Sequence, residues 1–393
     1  MKSSLKFEFS KKSEAITGGI FNILNDKKKE LLKRGKTVYN FSIGTPDFKP
    51  APHIMEAMQE ACKDPENYKY AIDDKPELIQ AMIDYYKKRF GVTLEADEIM
   101  TIYGSQEGMT HLGWAICDPG DVVLVPNPGY PIFSMGPMLC GAEAVEYPIY
   151  AKDNYMLKFE NIPEETAKKA KMIVVSYPLN PVCAVADDAF YEELIAFAKK
   201  YNIIVLHDNA YADIVYGEHV GKSFLEYEGA KDVGIEFYSL SKTYNMTGMR
   251  ISFTVGNAKI ISQFKKVRSQ IDYGIFPAIQ MAAVAALTGP QDMVKEQCAE
   301  YGRRNKALCG GLREIGWNVP DSQGSMFVWA PIPENYSSSE TFALDLREKS
   351  GVIVVPGTAF GSLGEGYVRF ALVYPVEKIE EAVEAIADSG ILK

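Results

Sequence analysis

Short runs of unbroken apolar residues alternate along this chain with segments whose apolar positions recur at helical spacing. Val122-Val123-Leu124-Val125, Met172-Ile173-Val174-Val175 and Ile203-Ile204-Val205-Leu206 carry no polar face and are too short for helices. That pattern predicts strands of a parallel sheet covered on both sides. Residues 233–238, 251–255 and 99–103 predict further strands, and 38–44 alternates as a half-exposed strand would. Helical periodicity marks 13–36, 52–62, 76–90, about 105–116, 187–201, 259–271 and 278–287. Strands alternating with helices predict an α/β architecture. Beyond Gly289-Pro290 the pattern changes. A long polar helix over 291–314 is followed by strands near 324–329, 352–355 and 367–372, with helices at 339–349 and 376–387. The reading is a large unit over 46–288 and a smaller α+β unit built from both chain ends, 1–45 and 289–393.

In parallel sheets, ligands bind beyond the carboxyl ends of the strands. The loops at those ends are therefore where chemistry is expected. After 233–238 comes Ser239-Leu240-Ser241-Lys242, with Gly248-Met249-Arg250 just beyond. A lysine aimed by rigid neighbours can attack a carbonyl carbon and form a Schiff base. Hydroxyls and a guanidinium nearby suit a phosphate. Pyridoxal phosphate carries both an aldehyde and a phosphate. The competing interpretation of this stretch is a polar loop with a solvated lysine.

Other strand ends supply partners for that cofactor. Lys242 would hold its aldehyde. Arg250, Ser239 and Ser241, with the backbone amides of Ser105 and Gln106 where a helix begins, would hold its phosphate. Asp208 could pair with the pyridine nitrogen and keep the ring protonated. Tyr211 and Asn180 could reach the ring hydroxyl, and Tyr130, in a proline-stiffened loop, could stack on the ring. Gly44 could let a ligand approach the backbone. Singly, each has a plainer explanation: a cap, a turn former or a packed aromatic. Together they converge.

Composition narrows the partners. A formal net charge of −10 and no basic stripe speak against nucleic acid and anionic membranes. No apolar run spans a bilayer, and residues 1–10 lack the apolar core of a signal peptide, so a cytoplasmic location is expected. Six scattered cysteines with no C-x-x-C predict neither disulfides nor a metal site.

Along nearly its whole length the chain resembles the class I/II aminotransferases, which are fold-type I pyridoxal phosphate enzymes. Ser239-Leu240-Ser241-Lys242 through Arg250 is similar to the family's lysine signature, and Asp208-x-x-Tyr211 to its cofactor-ring motif. Val368-Arg369-Phe370 is similar to its substrate-carboxylate arginine motif. The run from Asp118-Pro119-Gly120-Asp121 to Pro131 looks closest to the LL-diaminopimelate and aspartate aminotransferase-like branch. The resemblance implies transamination between an L-amino acid and a 2-oxo acid, with Lys242, Asp208 and Tyr211 catalytic. Gly44, Asn180 and Arg369 would meet the substrate. It also implies a homodimer in which a tyrosine, Tyr70 in preference to Tyr68, reaches the neighbouring cofactor site.

The chain departs from the family at Asn180-Pro181-Val182-Cys183, where Thr-Gly usually follows the proline, and at Asp74, where a glycine is usual. A β-eliminating carbon–sulfur lyase uses the same residues and is the first alternative. A non-catalytic binding module is the second. Arg268 is expected on a solvated helix face.

Overall fold

A computed structural model describes residues 7–16 and 20–393. The expectation for the first six residues, and part of that for a helix over 13–36, lie outside the described residues. Helices are described at Lys11–Ala15 and Ile20–Lys33.

Twelve strands follow in chain order: β1 Tyr39–Asn40, β2 Ile99–Ile102, β3 Val122–Asn127, β4 Glu143–Pro148, β5 Ala170–Val175, β6 Ile204–Asn209, β7 Gly234–Ser239, β8 Ser252–Gly256, β9 Phe327–Pro331, β10 Val352–Ile353, β11 Val355–Pro356 and β12 Tyr367–Ala371. Seven of them form one sheet in the order β2-β8-β7-β6-β5-β3-β4. Its pairs are parallel from β7 to β4, and β8 runs antiparallel to both its neighbours. The sheet is therefore mostly parallel, as its apolar strands required: β2, β3, β7 and β8 are buried at every position.

The helices on either side have readable ends. Proline starts Pro52–Ala61, Pro76–Phe90 and Pro277–Thr288, where its missing N–H costs nothing. The Asp187 side chain caps Asp188–Tyr201 by accepting from the Phe190 amide. Ser105–Ile116 packs on one face of the sheet, where Phe237 lies against Gly108. Pro76–Phe90 and Asp188–Tyr201 meet the other face, where Tyr86 bonds Glu236 and Tyr191 abuts His207.

The other strands are β9, β11 and β12, antiparallel in the order β11-β12-β9, and the parallel pair β1-β10. The expected strand over 38–44 pairs only at Tyr39–Asn40; beyond it the chain turns past β12, with the Phe41 carbonyl accepting from the Ala371 amide. Residues 352–355 divide into β10 and β11, which serve different sheets.

Candidate active site

Lys242 lies on a single helical turn, Leu240–Thr243, immediately after β7. Ser239 ends the strand and caps the turn, its hydroxyl accepting from the Ser241 amide at 3.2 Å. The Lys242 carbonyl accepts from the Gln297 side-chain amide at 2.8 Å, and its Nζ donates to the Gly44 carbonyl at 2.6 Å. Both ends of the residue are thereby fixed. Burial, and then the charges of Arg369 and Arg250, bring the amine down to about 8.

Arg250 has a φ of 53° and donates to the carbonyls of Thr247 (2.8 Å) and Tyr103 (3.1 Å). It passes over Gly104, where a Cβ would stand 2.3 Å from Nη2. Only glycine leaves room for this guanidinium beside the first turn of Ser105–Ile116, whose leading amides have no intrahelical acceptor. The Ser105 hydroxyl is buried there without a hydrogen-bond partner among the described residues.

Asp208 sits near the carboxyl end of β6, and its Oδ1 is likewise buried without a donor. Burial pushes this carboxyl up to about 6, opposed by the nearby Ser105 hydroxyl. A buried, unmet carboxylate oxygen beside a neutral-leaning lysine and an anion-binding helix start fits pyridoxal phosphate: a protonated pyridine nitrogen would satisfy the first and its phosphate the last. The residues present suit the cofactor.

Arg369, on β12, is 1% exposed. It donates to Asn180 Oδ1 and to the Ser42 carbonyl, each at 2.9 Å. Phe327 and Phe360 bracket its guanidinium, with ring centres 4.2 and 4.8 Å away. Gly44 touches the same wall; a Cβ there would lie 2.6 Å from the Phe327 ring.

Every residue expected at the site except Tyr70 lines one cavity of about 500 Å³. Tyr70 lies outside it, 79% exposed, its ring 4.7 Å from that of Tyr273. A larger cavity of about 1250 Å³, walled by residues such as Asp213, Gln291 and Lys306, contains none of the expected residues. Chemistry rather than size selects the smaller one.

The two departures from the family pattern have structural reasons. Cys183 adopts a φ of 64°, the left-handed region where glycine is at ease, and its thiol donates to the Phe327 carbonyl. Asp74 accepts from both the amide and the hydroxyl of Thr101, tying its loop to β2. The expectation for Arg268 is corrected: it is 5% exposed and bonds Asp272 and the Thr101 carbonyl. Its adjacent lysines, Lys265 and Lys266, gave the helix a charged look that hid this. Asp272 also belongs, with Glu107 and His111, to a group close enough for a metal, but Arg268 already supplies the cation between those carboxylates. Sequence reasoning missed Phe327, Phe360 and Gln297. Phe327 fell within a predicted strand; nothing in the sequence marked the other two.

The class I and II aminotransferase family model matches residues 36–386. An LL-diaminopimelate aminotransferase from Dehalococcoides mccartyi is 43% identical, over 97% of this chain and 98% of its own. One from Halothermothrix orenii is 42% identical, over 91% and 92%. The substrate-bound BacF structure from Bacillus subtilis superposes with a TM-score of 0.94 at 36% identity, covering 98% of both chains. Thermus thermophilus aspartate aminotransferase with maleate gives 0.91 at 26% identity, over 98% and 100%.

Proposed function

From the premise that this chain belongs to the class I and II aminotransferases, and so is a pyridoxal phosphate-dependent transferase of amino groups, we propose that its amino donor is LL-diaminopimelate and its acceptor a 2-oxo acid. The observation that carries the assignment of roles is the convergence of Lys242, Asp208, Arg250 and Arg369 on one cavity. The donor is taken from the named relatives.

When bound, the cofactor supplies an aldehyde for the amino group and a ring that takes up electrons. Arg369, held in plane by Asn180 and the Ser42 carbonyl, grips the donor's α-carboxylate and turns its α-carbon toward Lys242. Lys242 Nζ, whose pKa near 8 lets it both accept and return a proton, takes the proton from that carbon. Asp208, as a carboxylate, would keep the proton on the ring nitrogen. Arg250, Ser239, Ser241 and the amides of Ser105 and Gln106 would hold the phosphate, Tyr130 would lie against the ring, and Tyr211 with Asn180 would meet the ring hydroxyl.

The reading includes two units, 46–288 and 1–45 with 289–393, a cytoplasmic homodimer, and Tyr70 reaching the partner's phosphate. Support for Tyr70 over Tyr68 comes from their hydroxyls. That of Tyr68 donates to the Cys62 carbonyl, whereas Tyr70 projects into solvent. No helix among the described residues is long and apolar enough to cross a membrane.

The test is a donor panel of LL-diaminopimelate, aspartate and phenylalanine against 2-oxoglutarate and pyruvate. LL-diaminopimelate is expected to give the highest kcat/KM. A better rate with another donor overturns the substrate while leaving transamination intact.

A further inference from the structure

Beneath the sheet, on the face away from the cofactor cavity, lies a polar cluster with no part in the roles above. Glu236 on β7 and His207 on β6 are in register and both wholly buried. The Glu236 carboxylate accepts four hydrogen bonds: from the Tyr86 hydroxyl (2.6 Å), the Ser223 hydroxyl (2.9 Å), the Phe224 amide (2.9 Å) and His207 Nδ1 (2.7 Å). The Phe224 amide can only donate, and the two hydroxyls and His207 Nδ1 are placed to donate to the same carboxylate.

The imidazole passes this constraint on. Because Nδ1 donates to Glu236, Nε2 is left with a lone pair, and the Tyr177 amide donates to it at 3.3 Å. Tyr177 stands just past β5, in the turn that leads to Asn180. A second bond joins the same strand ends from the other direction: the Ser176 hydroxyl donates to the Asp208 carbonyl at 2.7 Å. The ends of β5 and β6 are thus stapled together, one carrying Asn180 and the other Asp208. The tautomer that the staple needs is fixed by Glu236. If Nδ1 loses its acceptor, the proton moves to Nε2, and two N–H donors then face each other at Tyr177.

We propose that Glu236 is a positioning residue for the aminotransferase reaction, acting through the His207 tautomer to hold Asp208 against the cofactor and Asn180 against Arg369. The proposal rests on the cofactor and substrate roles given above, but its first readout is binding rather than turnover.

Glu236→Leu keeps roughly the volume and leaves His207 Nδ1 without an acceptor. In this variant the dissociation constant for pyridoxal phosphate is expected to rise roughly ten-fold and the visible circular dichroism of the bound cofactor to shrink, since ring placement loosens. KM for the donor should rise and kcat fall together. Tyr86→Phe is the comparison. It removes one bond from the same carboxylate but leaves His207 and Tyr177 alone, so Tm should fall while the dichroism and cofactor affinity stay as they were. His207→Phe breaks the staple directly and should reproduce Glu236→Leu; it carries the test if Glu236→Leu does not fold. Unchanged dichroism and affinity in His207→Phe would overturn the proposal. So would equal changes in Tyr86→Phe and Glu236→Leu, since the cluster would then be stabilising only. Failure of the proposed donor affects neither binding readout, so the two readings fail separately.

Discussion

The amine of Lys242 donates to the carbonyl of Gly44, 198 residues earlier in the chain, at 2.6 Å. Gly44 in turn lies against Phe327, whose ring covers the Arg369 guanidinium. The lysine is therefore held on the side of the cavity where Arg369 stands. Any group that replaces this hydrogen bond enters beside Arg369.

Lys242→Ala should still bind pyridoxal phosphate, because Arg250, Ser239, Ser241 and Asp208 remain. It should lose the visible band of the covalently attached cofactor and nearly all turnover. Absorbance of the purified variant, before and after borohydride, checks this. A band that borohydride still fixes to the protein would place the attachment elsewhere.

Capture of the cofactor by the cofactor-free protein should depend on pH through Lys242. Only the neutral amine attacks an aldehyde. Burial lowers its pKa to about 8, so the neutral fraction grows as pH rises through 8 and then levels off. At pH 7 that fraction is about one in ten, against roughly one in a few thousand for an ordinary lysine. Stopped-flow growth of the visible band should accelerate about ten-fold per unit below pH 8 and flatten above pH 9. A rate still climbing steeply at pH 10 would show an unperturbed amine.

Asp208→Asn separates stability from function. Burial raises this carboxyl from 3.8 to about 6 in the cofactor-free protein. A raised carboxyl favours the folded state while protonated, and that contribution is lost as pH rises through about 6. Holding the ionised form above pH 6 costs about 3 kcal/mol by this shift. The cofactor-free Asn variant should therefore melt higher than its parent at pH 8 and close to it near pH 4. With the cofactor, turnover should fall by orders of magnitude, since an amide does not hold the ring nitrogen's proton. A lower Tm at pH 8 in the cofactor-free variant would mean that the carboxylate is already paired.

The frame of the fold was legible because the buried strands β3 and β5 are short and largely apolar and their separating helices periodic. The strand missed entirely was β4, at the sheet edge, where exposed Glu143 and Glu146 break the apolar run. The cavity was legible because its chemistry gathers at strand ends: Asp208 on β6 and Lys242 after β7 are placed by the topology alone. Its aromatic wall was not. Phe327 and Phe360 come to Arg369 from segments whose apolar residues read as ordinary core, one from β9 and the other from the turn after β11, the two strands that flank β12. Arg268 shows the opposite failure. Its partners, the Thr101 carbonyl and Asp272, turn a helix arginine inward, and no periodicity announces a guanidinium buried by its hydrogen bonds.

Arg369→Lys tests the substrate end. The guanidinium is buried, and burial brings it down to about 10, still charged at neutral pH. Two of its nitrogens are used to orient it, on Asn180 and Ser42, and its flat faces lie between Phe327 and Phe360. A lysine keeps the charge, but a single ammonium cannot bond Asn180 and Ser42 and also present two coplanar N–H groups to a carboxylate. Loss of one charged hydrogen bond is worth roughly 1.5–3 kcal/mol. That predicts a fall of about ten- to a hundred-fold in kcat/KM for the best donor. The same penalty should apply to every donor with a free α-carboxylate, since the contact is to the part they share. The visible spectrum and cofactor affinity should stay as in the parent, because Lys242, Asp208 and Arg250 are unaltered. An unchanged kcat/KM, or a loss of cofactor in its place, would move Arg369 from the substrate's carboxylate to a purely structural or cofactor-holding role.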